Sequence, residues 1–172
     1  DNLLVVDLSA KCLDACRARF ATDTHIRYHL NDGKSLAMIP DASVDFVFSF
    51  DSLVHAEAEV LEAYVQQLAR KLKPQGVGFI HHSNLGAYPA GRYVRKMLPR
   101  GKRWIERLGL LESDAMRATS MTARRFVEYA EAAGLQCIGQ EIVNWGKGRR
   151  LIDCFSLFAP QQSKWTRPNR VK

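Results

Sequence analysis

Three histidines stand where strand-like segments end, and imidazole is the side chain best suited to taking a proton near neutral pH. His55 follows the run Val44-Asp45-Phe46-Val47-Phe48-Ser49-Phe50, with Asp51 and Ser52 between. His81 and His82 close the run that begins at Val77, just before Ser83-Asn84. Each is a candidate general base toward a hydroxyl, and the competing reading is a structural histidine with satisfied ring nitrogens. Neighbours on a strand point to opposite sides, so at most one of His81 and His82 can reach a given acceptor. Asp51, His81, His82 and Asn84 could instead ligate a divalent ion such as Mg2+ that orients a diol. Two carboxylates complete the set. Asp7 ends Leu3-Leu4-Val5-Val6 and could accept two hydrogen bonds from a ribose-like diol, or serve the next helix N-terminus beside Ser9. Asp32, in Asn31-Asp32-Gly33, could accept from an amino group while Gly33 permits close backbone approach, or simply form an Asx-turn.

These residues meet only if the chain carries them on a common scaffold. Leu3 to Val6 is continuously apolar, which suits a strand buried on both faces in a parallel sheet. Ser9 can cap a helix running to about Phe20, with Ala10 and Leu13 inward. Ile26 to Leu30 reads as a short strand, and Val44 to Phe50 as a strongly β-prone one. From Ala56 to Leu72, Val60, Leu61, Tyr64, Leu68 and Leu72 recur at helical spacing. Lys73-Pro74-Gln75-Gly76 is expected to stop that helix and turn the chain into a strand from Val77 to His82. Thr122 caps a helix from Ala123 to Ala133, ended by Gly134. Leu135 to Val143 and Leu151 to Phe158 are joined too tightly for a parallel crossover, so they must be antiparallel neighbours. The order predicts an α/β fold, a doubly wound, mostly parallel sheet with a C-terminal antiparallel hairpin. Ligands in such sheets sit beyond the carboxyl ends of the strands. Asp7, Asn31 to Gly33, Ser49 to His55 and His81 to Asn84 all lie at such ends.

With 172 residues the chain can bury one core but not two ordinary domains, and its apolar fraction of 47% is normal for a globular protein. No apolar run approaches the roughly 18–20 residues of a membrane span, and no basic leader follows Asp1-Asn2, so a cytoplasmic protein without a membrane partner is expected. The four cysteines form no CxxC and have no histidine at ligand spacing, which predicts reduced, mostly buried thiols. The net charge of +7 makes an anionic partner worth considering. Its excess lies between Arg92 and Arg125 and in the tail from Lys164 to Lys172.

The order of elements and its punctuation resemble the class I S-adenosylmethionine-dependent methyltransferases, from about Leu3 to Phe158. Val5-Val6-Asp7-Leu8-Ser9 looks like that family's second strand, whose terminal acid binds the cofactor ribose. Asn31-Asp32-Gly33 looks like the loop that holds the adenine amino group. Val44 to Ser49, the following helix and Leu72-Lys73-Pro74-Gln75-Gly76 look like the fourth strand, its helix and the turn into the fifth. The resemblance implies S-adenosylmethionine as cofactor, with Asp7, Leu8, Asn31, Asp32, Gly33 and Ser49 binding it. It also implies a base at His55, or at His81 or His82, with Asp51 facing the acceptor. The family's first strand and glycine-rich turn are not in this sequence, and about 50 to 70 further N-terminal residues are expected in the natural protein.

Residues 1–160 are therefore expected to form the methyltransferase domain. Gly86 to Ala118 would be a lid-like insertion and 161–172 a loose basic tail. Within the insertion Tyr88, Tyr93 and Trp104 offer flat faces for an acceptor, and Arg92, Arg95, Lys96 and Arg103 offer hydrogen bonds. The alternative is a helix pair with its aromatic residues packed inward. Trp145, in the late loop, could reach the cleft or cap the hairpin. Ser49 to His55, Ile80 to Asn84 and Leu151 to Phe158 resemble bacterial sugar O-methyltransferases, including those of mycobacterial methylated polysaccharides. That implies a small carbohydrate acceptor. The basic insertion and tail suggest the alternative of a nucleic-acid methyltransferase or RNA-binding relative, against which stand the lack of an Asn-Pro-Pro-Tyr or Asp-Pro-Pro-Tyr motif and of a nucleophilic cysteine after a strand. A homodimer, or a degenerate module that binds cofactor without turnover, is compatible with the sequence.

Overall fold

The computed structural model describes residues 2–89, 116–144 and 150–172. The chain forms two compact units, Asp1–Pro40 and Asp41–Lys172.

In the first unit, strand β1 (Leu3–Asp7) is followed by helix α1 (Ala10–Arg19) and strand β2 (Ile26–Leu30). The strands pair in parallel from Leu3 opposite Ile26 to Asp7 opposite Leu30, with α1 as the crossover. Ser9 caps α1 as expected, its hydroxyl accepting from the Cys12 N–H at 3.3 Å. Arg17 and Arg19 in the last turn suit the negative end of the helix dipole. Leu13 is the buried anchor of the helix.

The second unit contains β3 (Val44–Ser49), α2 (Ala58–Lys71), β4 (Leu72–Ser83), α3 (Ala123–Ala132), β5 (Leu135–Val143) and β6 (Asp153–Pro160). Short 3-10 turns occupy Leu53–His55 and Leu85–Ala87. The sheet order is β3-β4-β6-β5. β3 runs parallel to β4, and β6 is antiparallel to both its neighbours. The expected antiparallel hairpin is thus present. Leu61, Val65 and Leu68 of α2 are buried at helical spacing, as are Phe126 and Ala130 of α3 and Ile80 and Phe158 of the sheet. Each large side chain in that set contributes about 1.5–3 kcal/mol over its exposed state. Gly78 is obligatory in this packing, because a Cβ there would lie 2.1 Å from the Phe158 ring.

Three expectations change. Lys73-Pro74-Gln75-Gly76 does not interrupt the strand: pairing jumps from Val44 opposite Leu72 to Phe46 opposite Val77, so the four residues bulge out of β4. Pro74 biases Lys73 toward extended backbone, and a Gly76 Cβ would meet the Val44 carbonyl oxygen at 2.8 Å. The tail is not loose. Gln140 N–H donates to the Arg170 carbonyl (2.8 Å), Lys172 N–H to Gln140 (2.9 Å) and Ile142 N–H to Lys172 (2.9 Å), so the tail pairs with the outer edge of β5. An open edge of N–H and C=O groups drives that pairing, and composition does not reveal it. Of the cysteines, Cys137 and Cys154 are buried, Cys16 is half-buried and Cys12 is exposed. Burial pushes the Cys137 thiol up to about 11 and the Cys154 thiol up to about 12, which leaves both unreactive. Among the described residues no helix is long and apolar enough to cross a membrane.

Candidate active site

The first unit places its polar candidates at the carboxyl ends of β1 and β2. Asp7 closes β1, and its Oδ1 accepts the Ser9 N–H at 2.7 Å while its carbonyl accepts from Asn31 at 3.0 Å. The local capping role is therefore real and uses one carboxylate oxygen. Asn31 Oδ1 accepts from the Gly33 N–H at 3.1 Å. Asp32 Oδ1 accepts from Lys34 (2.9 Å) and Ser35 (2.6 Å), and those two backbone donors hold its carboxyl below the ordinary value of 3.8. Gly33 has φ +84, a conformation that L side chains rarely adopt. Leu8 is 70% exposed, and its Cδ2 would lie 3.9 Å from a Gly33 Cβ, so an apolar side chain and a bare backbone stand side by side.

In the second unit, the segment after β3 carries Ser49, Asp51 and His55. The Ser49 hydroxyl is buried and has no hydrogen-bond partner among the described residues. Such an atom is costly unless something else pairs it, so it fits a bound polar ligand at the end of β3. Asp51 is left-handed at φ +55 and Met116 at φ +58, each at a cost of roughly 1–2 kcal/mol. The exposed His55 has its Nδ1 2.8 Å from the Met116 carbonyl. A carbonyl can only accept, so Nδ1 carries the proton and Nε2 of the neutral ring carries the lone pair.

His81 and His82 point to opposite faces of β4, as the strand pleat requires. His81 is 1% exposed. Its Nδ1 accepts the Asp51 N–H at 3.1 Å, and its Nε2 faces Asp153 Oδ1 at 3.2 Å, off the ideal hydrogen-bond line. Phe50 and Phe155 pack on the ring. Burial would raise the pKa of Asp153, but His81 and Arg117 outweigh it and hold the carboxyl below 3.8. Arg117 Nε donates to Asp153 Oδ1 at 2.8 Å, and its Nη2 lies 3.5 Å from Asp51 Oδ1. His82 is fully buried and stacks on Phe126. It shares hydrogen bonds with the Ser83 carbonyl (2.9 Å) and the Ser156 hydroxyl (2.8 Å). Burial pushes its pKa down to about 4. Both ring nitrogens of each of these histidines therefore face protein groups, and neither offers an acceptor a lone pair.

The Mg2+ expectation does not hold. His81 and His82 diverge, and the Asn84 side chain is spent on the Leu151 carbonyl (2.9 Å) and the Ala123 N–H (2.9 Å). Among the described residues no group of three or more His, Cys, Asp or Glu could hold a metal. Tyr88 is half-buried, and its hydroxyl accepts from the Leu151 N–H at 3.0 Å. Tyr93, Trp104, Trp145, Arg92, Arg95, Lys96 and Arg103 lie outside the described residues. Arg117, Asp153 and Glu57 were not anticipated as site residues. A carboxylate inside the apolar run Leu151 to Phe158 was the available signal, because a buried charge must be paired.

The α/β fold, with its parallel strands and C-terminal antiparallel hairpin, is that of the S-adenosylmethionine-dependent methyltransferases. PH0226 protein from Pyrococcus horikoshii OT3 aligns with 92% of this chain and 71% of its own, at 17% identity and a TM-score of 0.60. PKMT2 from Rickettsia typhi, solved in complex with AdoHcy, aligns with 93% of this chain and 44% of its own, at 12% identity and a TM-score of 0.66. A TehB-like SAM-dependent methyltransferase from Corynebacterium glutamicum aligns with 92% and 68%, at 15% identity and a TM-score of 0.57. Residues 1–76 match the family model described as a methyltransferase domain. No curated protein matches the sequence. The family match covers residues 1–76, and the solved structures share the methyltransferase fold over more than nine tenths of this chain.

Proposed function

We propose that this protein is an S-adenosylmethionine-dependent O-methyltransferase acting on a hydroxyl of a small acceptor, a sugar or glycoside, with His55 as the general base. The observation that carries this reading is the His55 tautomer. Its Nδ1–H is anchored on the Met116 carbonyl, which leaves Nε2 as an exposed base just beyond the end of β3.

S-adenosylmethionine, when bound, supplies an electrophilic methyl group. The residues that would hold it are Asp7, whose Oδ2 is left for a ribose hydroxyl, and Leu8 with Gly33 against the adenine. Asp32 would take the adenine amino group. His55 Nε2 takes the proton of the acceptor hydroxyl as its oxygen becomes nucleophilic, and general-base assistance of this kind is worth about 10²–10⁴ in rate. The Asp51 carboxylate, 62% exposed, accepts from a second hydroxyl of the acceptor. Among the described residues the Asp51, Asp153 and Arg117 side chains together carry one net negative charge, which favours a neutral polyol over a phosphate or carboxylate.

Calorimetric titration of the intact protein with S-adenosylhomocysteine, beside Asp7→Ala, tests the cofactor half. The expected result is binding that the substitution weakens tenfold or more, roughly 1.4 kcal/mol. Absence of binding by the folded, intact protein overturns the reading. Sugar acceptors are then assayed with His55→Ala. A loss of kcat at unchanged cofactor affinity is expected, and full activity of that variant removes His55 as the base.

A further inference from the structure

The residues that hold Asp51 and His55 form a closed ring. The Asp51 N–H donates to His81 Nδ1 (3.1 Å), and His81 Nε2 faces Asp153 (3.2 Å). Asp153 accepts from Arg117 Nε (2.8 Å), and Arg117 Nη2 returns to the Asp51 carboxylate (3.5 Å). Backbone and side chain of Asp51 are thus gripped by the two ends of one chain of contacts. Asp153 and His81 are each 1% exposed, so the ring closes beneath the surface while the Asp51 carboxylate stays out.

The ring also reaches His55, through the backbone on either side of Arg117. Arg117 follows Met116, whose carbonyl receives His55 Nδ1–H, and precedes Ala118, whose N–H donates to the Val54 carbonyl at 2.9 Å. Beyond it the Glu57 carboxylate accepts from the N–H groups of Thr119 (3.3 Å) and Ser120 (3.0 Å) and from the Ser120 hydroxyl. Residues 116–120 are therefore laced along residues 51–57, and the Arg117 ion pairs lock the left-handed end of that lacing. Both left-handed non-glycine residues near this corner, Asp51 and Met116, sit at its two sides. Conformations of that kind persist only where surrounding contacts over-determine them.

We infer that His81, Asp153 and Arg117 are positioning residues, which set the left-handed turn at Asp51 and, through the Met116 carbonyl, hold His55 in the tautomer with Nε2 unprotonated. The functional meaning rests on the reading of His55 as the base, but the geometry is testable without it. Long-range 15N NMR of the intact protein reads the tautomers directly, and the expected result is His81 protonated on Nε2 and His55 on Nδ1. A His81 ring protonated on Nδ1 overturns the inference. Asp153→Asn keeps the volume but cannot serve both donors as a charged acceptor, and Arg117→Lys keeps the charge but loses the fork that spans two carboxylates. In each variant the Asp51 amide should exchange at least about tenfold faster, while the Ile80 amide in mid-strand stays within about twofold. The His55 signals should move toward the mixed tautomer of a free imidazole. A merely structural role would speed both amides together and leave the His55 tautomer unchanged. Unchanged Asp51 exchange and an unchanged His55 tautomer in folded variants overturn the inference. Should Asp153→Asn fail to fold, Arg117→Lys, less deeply buried at 12% exposure, carries the test. None of these readings involves the cofactor. If they come out as expected while His55→Ala keeps full turnover, the base assignment fails and the ring stands.

Discussion

Lowering the pH from 7.5 to 5.0 should cost the fold about 2 kcal/mol through His82 alone. The Ser83 carbonyl, at 2.9 Å, can only accept, so Nδ1 carries the proton and Nε2 accepts from the Ser156 hydroxyl at 2.8 Å. Ser156 Oγ itself accepts from Gln140 Nε2 at 2.9 Å. The neutral ring is thus fully satisfied in a sealed site, and protonation of Nε2 would both bury a charge and take away the acceptor of the Ser156 hydroxyl proton. Burial pushes the pKa from 6.5 down to about 4. The unfolded chain binds the proton more tightly than the fold does, so stability falls as pH drops below 6.5 and levels off below about 4. At about 1.36 kcal/mol per unit the whole window holds about 3 kcal/mol, of which about 2 is lost by pH 5. Urea unfolding at fixed ionic strength, run on the wild type and on His82→Gln, isolates this contribution from the other histidines. The variant is less stable at pH 7.5, and its deficit should shrink by about 2 kcal/mol at pH 5. A deficit that stays constant with pH, or a His82 imidazole that titrates above pH 6 by NMR, refutes the reasoning.

Three further outcomes are expected. Ser49→Ala removes a buried hydroxyl without a partner among the described residues, so stability in urea unfolding should stay within about 0.5 kcal/mol; a loss above about 1 kcal/mol would show that the hydroxyl is paired. Gly78→Ala drives a methyl into the Phe158 ring and should cost about 1–3 kcal/mol or more in thermal unfolding, with a cost below about 0.5 kcal/mol counting against the packing described. A stop after Pro160 strips the strand-like tail from β5 and should produce concentration-dependent self-association by light scattering, whereas a soluble monomer would show that the edge needs no cover.

Local order was legible because it is written in periodicity and caps. Ser9 and Thr122 mark the starts of α1 and α3, and Leu61 and Leu68 of the expected stripe are buried in α2, where Val65 joins them. The hairpin of β5 and β6 followed from the shortness of the link between them. What failed depended on partners distant in sequence. Lys73-Pro74-Gln75-Gly76 has the composition of a turn, and only the pairing of Leu72 with Val44 makes it a bulge. The tail reads as solvated charge until the open edge of β5 is known.

The candidate site divides along the same line. Strand ends are readable, and that rule together with the family resemblance collected Asp7, Asp32, Ser49, Asp51 and the three histidines. Which histidine can act as a base is not readable, because it is decided by hydrogen bonds to groups far along the chain. His55 is fixed by a carbonyl 61 residues away, and His82 is neutralised by a hydroxyl 74 residues away. Arg117 is equally invisible as one cation among many in a basic insertion. Asp153 was the tractable one: a carboxylate in an apolar strand must find donors, and at the end of a strand beside His81 it had one candidate in view. Had that pairing been drawn from the sequence, His81 would have moved from base to support, and the choice between His55 and His82 would still have rested on the Met116 carbonyl and the Ser156 hydroxyl.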